Sequence, residues 1–168
     1  MHRRHWAGVA GTAAALVLIA VAAQATDRMA VPAAKAGDLA VTDAWARAML
    51  PGQPTGGGYF TVENHGQSAD RLLSASSPAA GKVEFHEMKM QDSIMVMRPV
   101  QGGLAIPAGG ALALKPGGFH MMFIEVKAPF KAGESVAVTL QFQNAGKLEL
   151  ELPVRPAGAA DDHEGHGG

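Results

Sequence analysis

Residues 135–154 have the sequence SVAVTLQFQNAGKLELELPV. Apolar side chains occupy every second position of residues 136–142, and leucines alternate with glutamates in residues 148–152. A period of two places alternate side chains on one face of a β-strand. The turn-forming residues 144–146, Asn-Ala-Gly, separate the two runs, so the stretch predicts two half-buried strands joined by a tight turn.

The same pattern extends back to residue 39. The apolar runs are short, rich in β-branched residues and separated by glycine or proline, and none of them has the 3.6-residue period of a helix. Many short strands with regular turns predict an all-β, Greek-key sandwich or barrel in a single domain, residues 39–155. The predicted strands are 39–48, 58–64, 70–76, 82–90, 94–100, 110–115, 119–126, 134–143 and 147–154.

The two ends of the chain differ from this domain. Residues 1–25 combine Arg3 and Arg4, an apolar run and a small-x-small site at Ala23-Gln24-Ala25. This is the pattern of a cleaved signal peptide, and it predicts export to a bacterial periplasm; the alternative is an uncleaved anchor of marginal length. We expect residues 26–38 to be a linker and residues 156–168, rich in Gly, Ala, Asp and His, to be a disordered tail.

Composition excludes several classes of function. Without residues 1–25 the chain carries 12 Lys and Arg against 15 Asp and Glu, which argues against a nucleic-acid partner. The chain has no cysteine, so disulfides, thiolate zinc sites, iron–sulfur clusters and blue-copper sites are excluded, and no lipid-attachment cysteine holds the cleaved form at a membrane. No nucleophile elbow or phosphate-binding loop is found, so we expect a protein that is not an enzyme.

Histidine and methionine are concentrated in one part of the chain. Six of the nine methionines lie between residues 88 and 122, and His86 and His120 lie at the two ends of this window. Thioether and imidazole groups with few carboxylates nearby favour Cu(I) over Mg, Ca or Mn. We predict that His86, Met97, His120 and Met122 bind one Cu(I) ion.

Strand geometry supports this set of four residues. His120 and Met122 lie two apart and share one strand face, while Phe119, Met121 and Phe123 take the other, which we assign to the core. If strands 82–90 and 94–100 form a hairpin with Gln91-Asp92 at its tip, His86 lies opposite Met97 and Met88 lies opposite Met95. A three-residue loop would place His86 and Met97 on opposite faces.

The alternative to a metal site is that these methionines fill the core and that each histidine is an isolated polar residue. Met88, Met90 and Met95 are expected to shield the site more than to bind the metal, and His65 is expected at the surface. The tail contains a second, weaker pattern. His163 and His166 lie among three carboxylates. This donor set suits Cu(II) or Ni(II) better than Cu(I), and we take Cu(II) as the expected ion, although a solvated acidic end explains the pattern equally well.

The segments from His86 to Met88, Met95 to Val100, Leu112 to Gly118 and Phe119 to Met122 resemble the periplasmic copper chaperones called PCu(A)C. That family is marked by a His, a Met some ten residues later and a distant His-x-Met. The resemblance covers roughly residues 39–153. It implies a cupredoxin-like β-sandwich that binds one Cu(I) through His86, Met97, His120 and Met122. It also implies copper supply to the CuA centre of cytochrome c oxidase subunit II, beside Sco-type proteins.

The sequence bears on three alternatives to delivery. Electron transfer on a cupredoxin fold would need the cysteine that this chain lacks. A metal-free β-sandwich that binds a protein or a sugar would keep His86 and His120 apart. Copper storage or resistance would use the same site and differ from delivery only in its partners.

Overall fold

Residues 34–158 are described by a computed structural model, and within them every regular element is a β-strand. The all-β prediction is therefore confirmed, and all nine predicted strands are present with boundaries shifted by at most three residues. The predicted signal peptide, most of the linker and the two tail histidines lie outside the described residues. The strands are β1 (Ala34–Ala36), β2 (Leu39–Arg47), β3 (Thr55–Asn64), β4 (Asp70–Ser76), β5 (Ala80–Gln91), β6 (Ile94–Pro99), β7 (Leu104–Ile106), β8 (Ala111–Leu114), β9 (Phe119–Val126), β10 (Ser135–Phe142) and β11 (Lys147–Arg155).

The strands form a sheet that folds over into two layers. The first layer has the order β6-β5-β9-β3-β2, and the second has the order β11-β10-β4-β7. The layers are joined where β2 pairs in parallel with β11, at residues 46–47 and 154–155. All other strand pairs are antiparallel, with β8 on β3 and β1 on β2. The consecutive strands β1–β2, β2–β3, β5–β6 and β10–β11 pair directly, and the other neighbours in the sheet are not consecutive in the chain.

The core lies between the two layers. In β10 the alternating residues Val136, Val138, Leu140 and Phe142 are all buried, as the sequence pattern predicts. From the first layer, Met121 and Phe123 of β9 contribute fully buried side chains to the same hydrophobic cluster. Burial of such side chains stabilises a fold by roughly 1.5–3 kcal/mol each. The face of β9 that carries His120 is thereby fixed on the side away from the core.

Gly58 of β3 lies where side chains from the two layers meet. A Cβ atom on Gly58 would lie 2.7 Å from Cε of Met121 and 3.3 Å from Cδ1 of Leu152. A side chain here would require these core side chains, and the ring of Phe123 at 3.0 Å, to shift. Gly58 therefore lets the core close beneath the strand that carries His120.

Two strands were not expected from the sequence. Ala34–Ala36 forms β1 inside the segment predicted as a linker, because it pairs with residues 39–41 across a turn at Gly37, where φ is +56°. Leu104–Ile106 forms β7, with both ends of the strand buried. A strand of three residues is too short to produce a recognisable alternation.

Candidate metal centre

His86 and His120 are brought together by the pairing of β5 with β9. They are direct cross-strand partners in this antiparallel pair, and their ring centroids are 5.8 Å apart with the planes tilted by 41°. Both are largely buried, with 9 % of His86 and 7 % of His120 exposed. Two adjacent, largely buried imidazoles are the arrangement that the metal hypothesis requires, and the expectation that a metal-free module would keep them apart is not met.

The hairpin of β5 and β6 has a different register from the one predicted. Its tip is Asp92-Ser93, so Met88 lies opposite Met97, and His86 lies opposite Pro99. The predicted pairs of His86 with Met97 and of Met88 with Met95 are wrong by two residues. The reason is the turn, because Asp92 and Ser93 have φ of 51° and 64°, as a two-residue type I′ turn requires at both positions.

The even length of this loop nevertheless preserves the face. A shift of two residues leaves the parity of a strand unchanged, so Met97 stays on the same face as His86. Met97 is a diagonal neighbour of His86, at a Cα separation of about 7–8 Å, which is within reach of a long thioether side chain. About half of Met97 is exposed. The direct pairing of His86 with Met97 is therefore wrong, while their position on one face is as predicted.

Met122 lies on the other side of the histidine pair. It is partly buried, lies two residues from His120 on the same face, and is paired with Glu84 of β5. On its other side it is paired with Gly57 of β3, and the hydroxyl of Tyr59 lies 2.9 Å from the position that a Cβ atom of Gly57 would take. The predicted residues thus form a band on one face of the first layer, with Met122 and Met97 on either side of the two imidazoles.

A carboxylate that the sequence prediction did not single out holds His86. Oε2 of Glu84 lies 2.9 Å from Nε2 of His86, and the same carboxylate pairs with the ammonium of Lys82. The hydrogen bonds from Lys82 and then from His86 lower the pKa of Glu84, so the acceptor is a carboxylate at neutral pH. Residues 82, 84 and 86 share one strand face by spacing alone, which is a signal that could have identified Glu84.

This hydrogen bond leaves the other ring nitrogen of His86 without a partner. In the neutral ring, with Nε2–H donating to Glu84, Nδ1 carries the lone pair, and it is a buried atom with no hydrogen bond. A buried polar atom without a partner is costly and rare in folded proteins. A bound metal ion would supply the missing partner, since neutral imidazole is a common metal ligand.

His120 is oriented by a hydrogen bond to a backbone carbonyl. Its Nδ1 lies 3.3 Å from the carbonyl oxygen of Gly118, so Nδ1–H donates there and Nε2 carries the lone pair. Burial lowers the pKa of His120; the hydrogen bond to Gly118 raises it in part, and the nearby His86 lowers it further. His120 therefore stays neutral, and able to bind a metal, at a lower pH than a free imidazole does.

The other expected residues occupy ordinary positions. His65 is exposed at a turn and its Nε2 lies 3.2 Å from the carboxylate of Glu63, which confirms the surface prediction. Met121 is fully buried, as predicted for a core residue, and Phe119 packs partly buried against the core.

Within residues 34–158, no three His, Cys, Asp or Glu side chains are grouped to hold a metal ion, so a site at His86 and His120 would need thioether donors as well. This part of the chain also has no helix long and apolar enough to span a membrane.

The chain is similar to proteins of known family. Residues 39–154 match the family model described as "Putative lipoprotein LpqE-like". A relative from Leifsonia xyli subsp. xyli, "Putative lipoprotein Lxx21020", is 32 % identical over 135 residues, which is 80 % of each chain.

Solved structures show the same architecture. The copper-bound PCuAC domain from PmoF2 superposes with a TM-score of 0.62 at 23 % identity, over 73 % of this chain and 96 % of that domain. The solution structure of CuI-DR1885 from Deinococcus radiodurans has a TM-score of 0.52 at 28 % identity, over 80 % of this chain and 85 % of that one. These matches confirm the predicted single-domain, cupredoxin-like β fold. With the family match across residues 39–154, they show that the chain belongs to the LpqE-like, PCuAC family of copper chaperones.

Proposed function

We propose that this protein is an exported copper chaperone that carries one Cu(I) ion on His86, Met97, His120 and Met122. The observation that carries the proposal is the pair of adjacent, buried imidazoles, each with one nitrogen fixed as a donor and the other left free. Copper-bound relatives, including CuI-DR1885, support the choice of metal.

The donor set selects the oxidation state. Two neutral imidazoles and two thioethers offer soft or borderline ligands without negative charge, and Cu(I) prefers soft ligands. Glu84 is occupied by His86 and Lys82, so it is held as a hydrogen-bond acceptor beside the site. Hard cations such as Mg²⁺ and Ca²⁺, which favour oxygen ligands, are disfavoured by the same arrangement.

The structure also suggests how the ion leaves. His86 and His120 are anchored by hydrogen bonds and burial, whereas about half of Met97 is exposed on the edge strand β6. A ligand from an acceptor protein can replace the Met97 thioether first, while the imidazoles still hold the ion. Transfer then proceeds by stepwise ligand exchange, with no change in the oxidation state of copper and no bare ion released into solution.

We further propose that the acceptor is the CuA site of cytochrome c oxidase subunit II, with a Sco-type protein acting beside it. This rests on membership of the PCuAC family. Export is supported by the signal-like residues 1–25 and by the relatives that are described as lipoproteins. Storage or resistance would use the same ligands but would retain the ion.

The distinction can be tested by transfer. The Cu(I)-loaded protein is mixed anaerobically with a copper-free CuA domain, the two are separated, and the copper in each is measured. Delivery predicts that copper moves to the CuA domain, and that the His120→Ala variant, mixed with an equal amount of copper, transfers no more than free Cu(I) does. Retention of copper by this protein would favour storage and contradict delivery.

A further inference from the structure

The β5–β6 hairpin has two unlike faces. One face carries Ile94 and Val96 together with charged and polar residues. On this face Arg98 donates a hydrogen bond of 2.7 Å to the side chain of Gln91. The opposite face carries only methionines towards the tip, and we call these four residues the methionine ladder. Its members form two cross-strand pairs, Met88 with Met97 and Met90 with Met95.

The ladder is exposed, so its outer members do not act as core filler. Met90 is 58 % exposed, Met95 49 % and Met97 48 %. Burial of a methionine side chain is what makes it useful for packing, and about half of each of these three residues stays exposed. β6 is the edge strand of the sheet, so no further strand of the described chain lies beside Met95 and Met97 on that side.

The turn brings the two members of each pair close together. A two-residue turn at Asp92-Ser93 makes Gln91 and Ile94 the hydrogen-bonded pair that closes the hairpin. Pairs alternate in an antiparallel ladder, so Met90–Met95 and Met88–Met97 are non-hydrogen-bonded pairs, in which the Cα atoms are only about 4.5 Å apart. Two flexible thioethers at this separation can both reach one small ion.

The outer pair is too far from the histidines to belong to the same site. Met90 is four residues from His86 along β5, which corresponds to about 13 Å in an extended strand. Met88 lies between them, two residues from each. An ion held by Met90 and Met95 would therefore be separate from an ion held by His86 and His120.

We propose that Met90 and Met95, with Met88 as a third donor, form a second Cu(I) site on the methionine ladder. The proposal extends the Cu(I) function proposed above and adds a site made only of thioethers. Such a site suits Cu(I), which accepts low coordination numbers and soft ligands. It should bind more weakly than the site with two imidazoles, because a thioether sulfur is a poorer electron-pair donor than an imidazole nitrogen.

The rival explanation is that the ladder is an apolar surface for a protein partner. Leucine distinguishes the two, because it keeps the apolar area and approximate volume of methionine but has no sulfur. The test uses the full chain labelled with ¹³C at the methionine methyl groups and titrated with Cu(I) under anaerobic, reducing conditions. Wild type is compared with the double variant Met90→Leu/Met95→Leu, and Met49→Leu, which packs against the core, is the matched control.

We expect the Met122 methyl signal to shift with the first equivalent of Cu(I) and the Met90 and Met95 signals to shift with the second. The double variant should show no second event at Met88, and the Met49→Leu control should behave as wild type. The proposal is overturned if the Met90 and Met95 signals stay in place up to two equivalents. It is also overturned if the double variant keeps the second event at Met88. The Met122 signal reports on the His/Met site separately, so failure of either site is distinguishable from failure of the other.

Discussion

Replacement of Glu84 tests whether its hydrogen bond fixes the tautomer and the orientation of His86. The carboxylate accepts a hydrogen bond from Nε2 of His86 at 2.9 Å, and this bond fixes the tautomer that leaves Nδ1 free. In Glu84→Leu the acceptor is lost, so the proton of the neutral ring is free to occupy either nitrogen and the ring loses its orientation. We expect the affinity for Cu(I) to fall.

The size of the effect follows from the surroundings of the carboxylate. Partners that orient metal-binding histidines are typically worth roughly 10- to 100-fold in affinity. Glu84 keeps 25 % of its side chain exposed and shares its charge with Lys82, so solvent and the ammonium weaken its hold on the ring. We therefore expect a loss of about tenfold for Glu84→Leu, at the lower end of that range. Glu84→Gln should lose less, because the amide oxygen still accepts a hydrogen bond.

Competition with a chromophoric Cu(I) chelator measures these affinities, and Glu87→Gln, on the opposite face of the same strand, is the control. Long-range ¹⁵N–¹H spectra of the copper-free protein report the tautomer directly. The reasoning is refuted if wild-type His86 carries its proton on Nδ1. It is equally refuted if Glu84→Leu binds Cu(I) as tightly as Glu87→Gln does.

Three further predictions concern pH, the tail and a turn. Cu(I) affinity should fall as the pH drops and the histidines become protonated. Burial lowers the pKa of His120, so its part of the fall should come below about 6.5, the pKa of a free imidazole. An affinity that does not change between about pH 5 and 8 would mean that neither histidine is a ligand. Truncation after Pro156 should remove one weakly bound Cu(II) and leave Cu(I) affinity unchanged; unaltered Cu(II) stoichiometry would mean that His163 and His166 are only solvated. Gly103→Ala should destabilise the fold more than Gly102→Ala: both glycines have positive φ, a strain of about 1–2 kcal/mol for alanine, but only at Gly103 would a Cβ lie 2.5 Å from the backbone oxygen of Leu72. Equal melting temperatures for the two variants would contradict this.

The fold could be predicted because its signal is local. Residues 136–142 and 148–152 alternate strictly, and the structure buries the faces that this alternation selects. The face shared by His120 and Met122 follows in the same way from a spacing of two residues. By contrast, β7 has only three residues and β1 lies in a segment of small side chains, so neither produces a period that can be read from the sequence.

The register of the site hairpin could not be derived in this way. Parity decides which face a residue occupies, but the direct partner depends on where the turn lies. Asp92 and Ser93 both adopt positive φ, and neither residue indicates this as strongly as Asn-Gly or Asp-Gly would. The adjacency of His86 and His120 is also a non-local property, because it depends on β5 pairing with a strand four elements later.

The most direct test of the account is a comparison of two histidines in one Cu(I) competition titration under reducing conditions. His120 is buried beside His86, whereas His65 is exposed and paired with Glu63. Wild type should bind one Cu(I) at the His/Met site, His65→Ala should bind it equally well, and His120→Ala should bind it far more weakly. Equal affinities for His65→Ala and His120→Ala would contradict the assignment of the copper site.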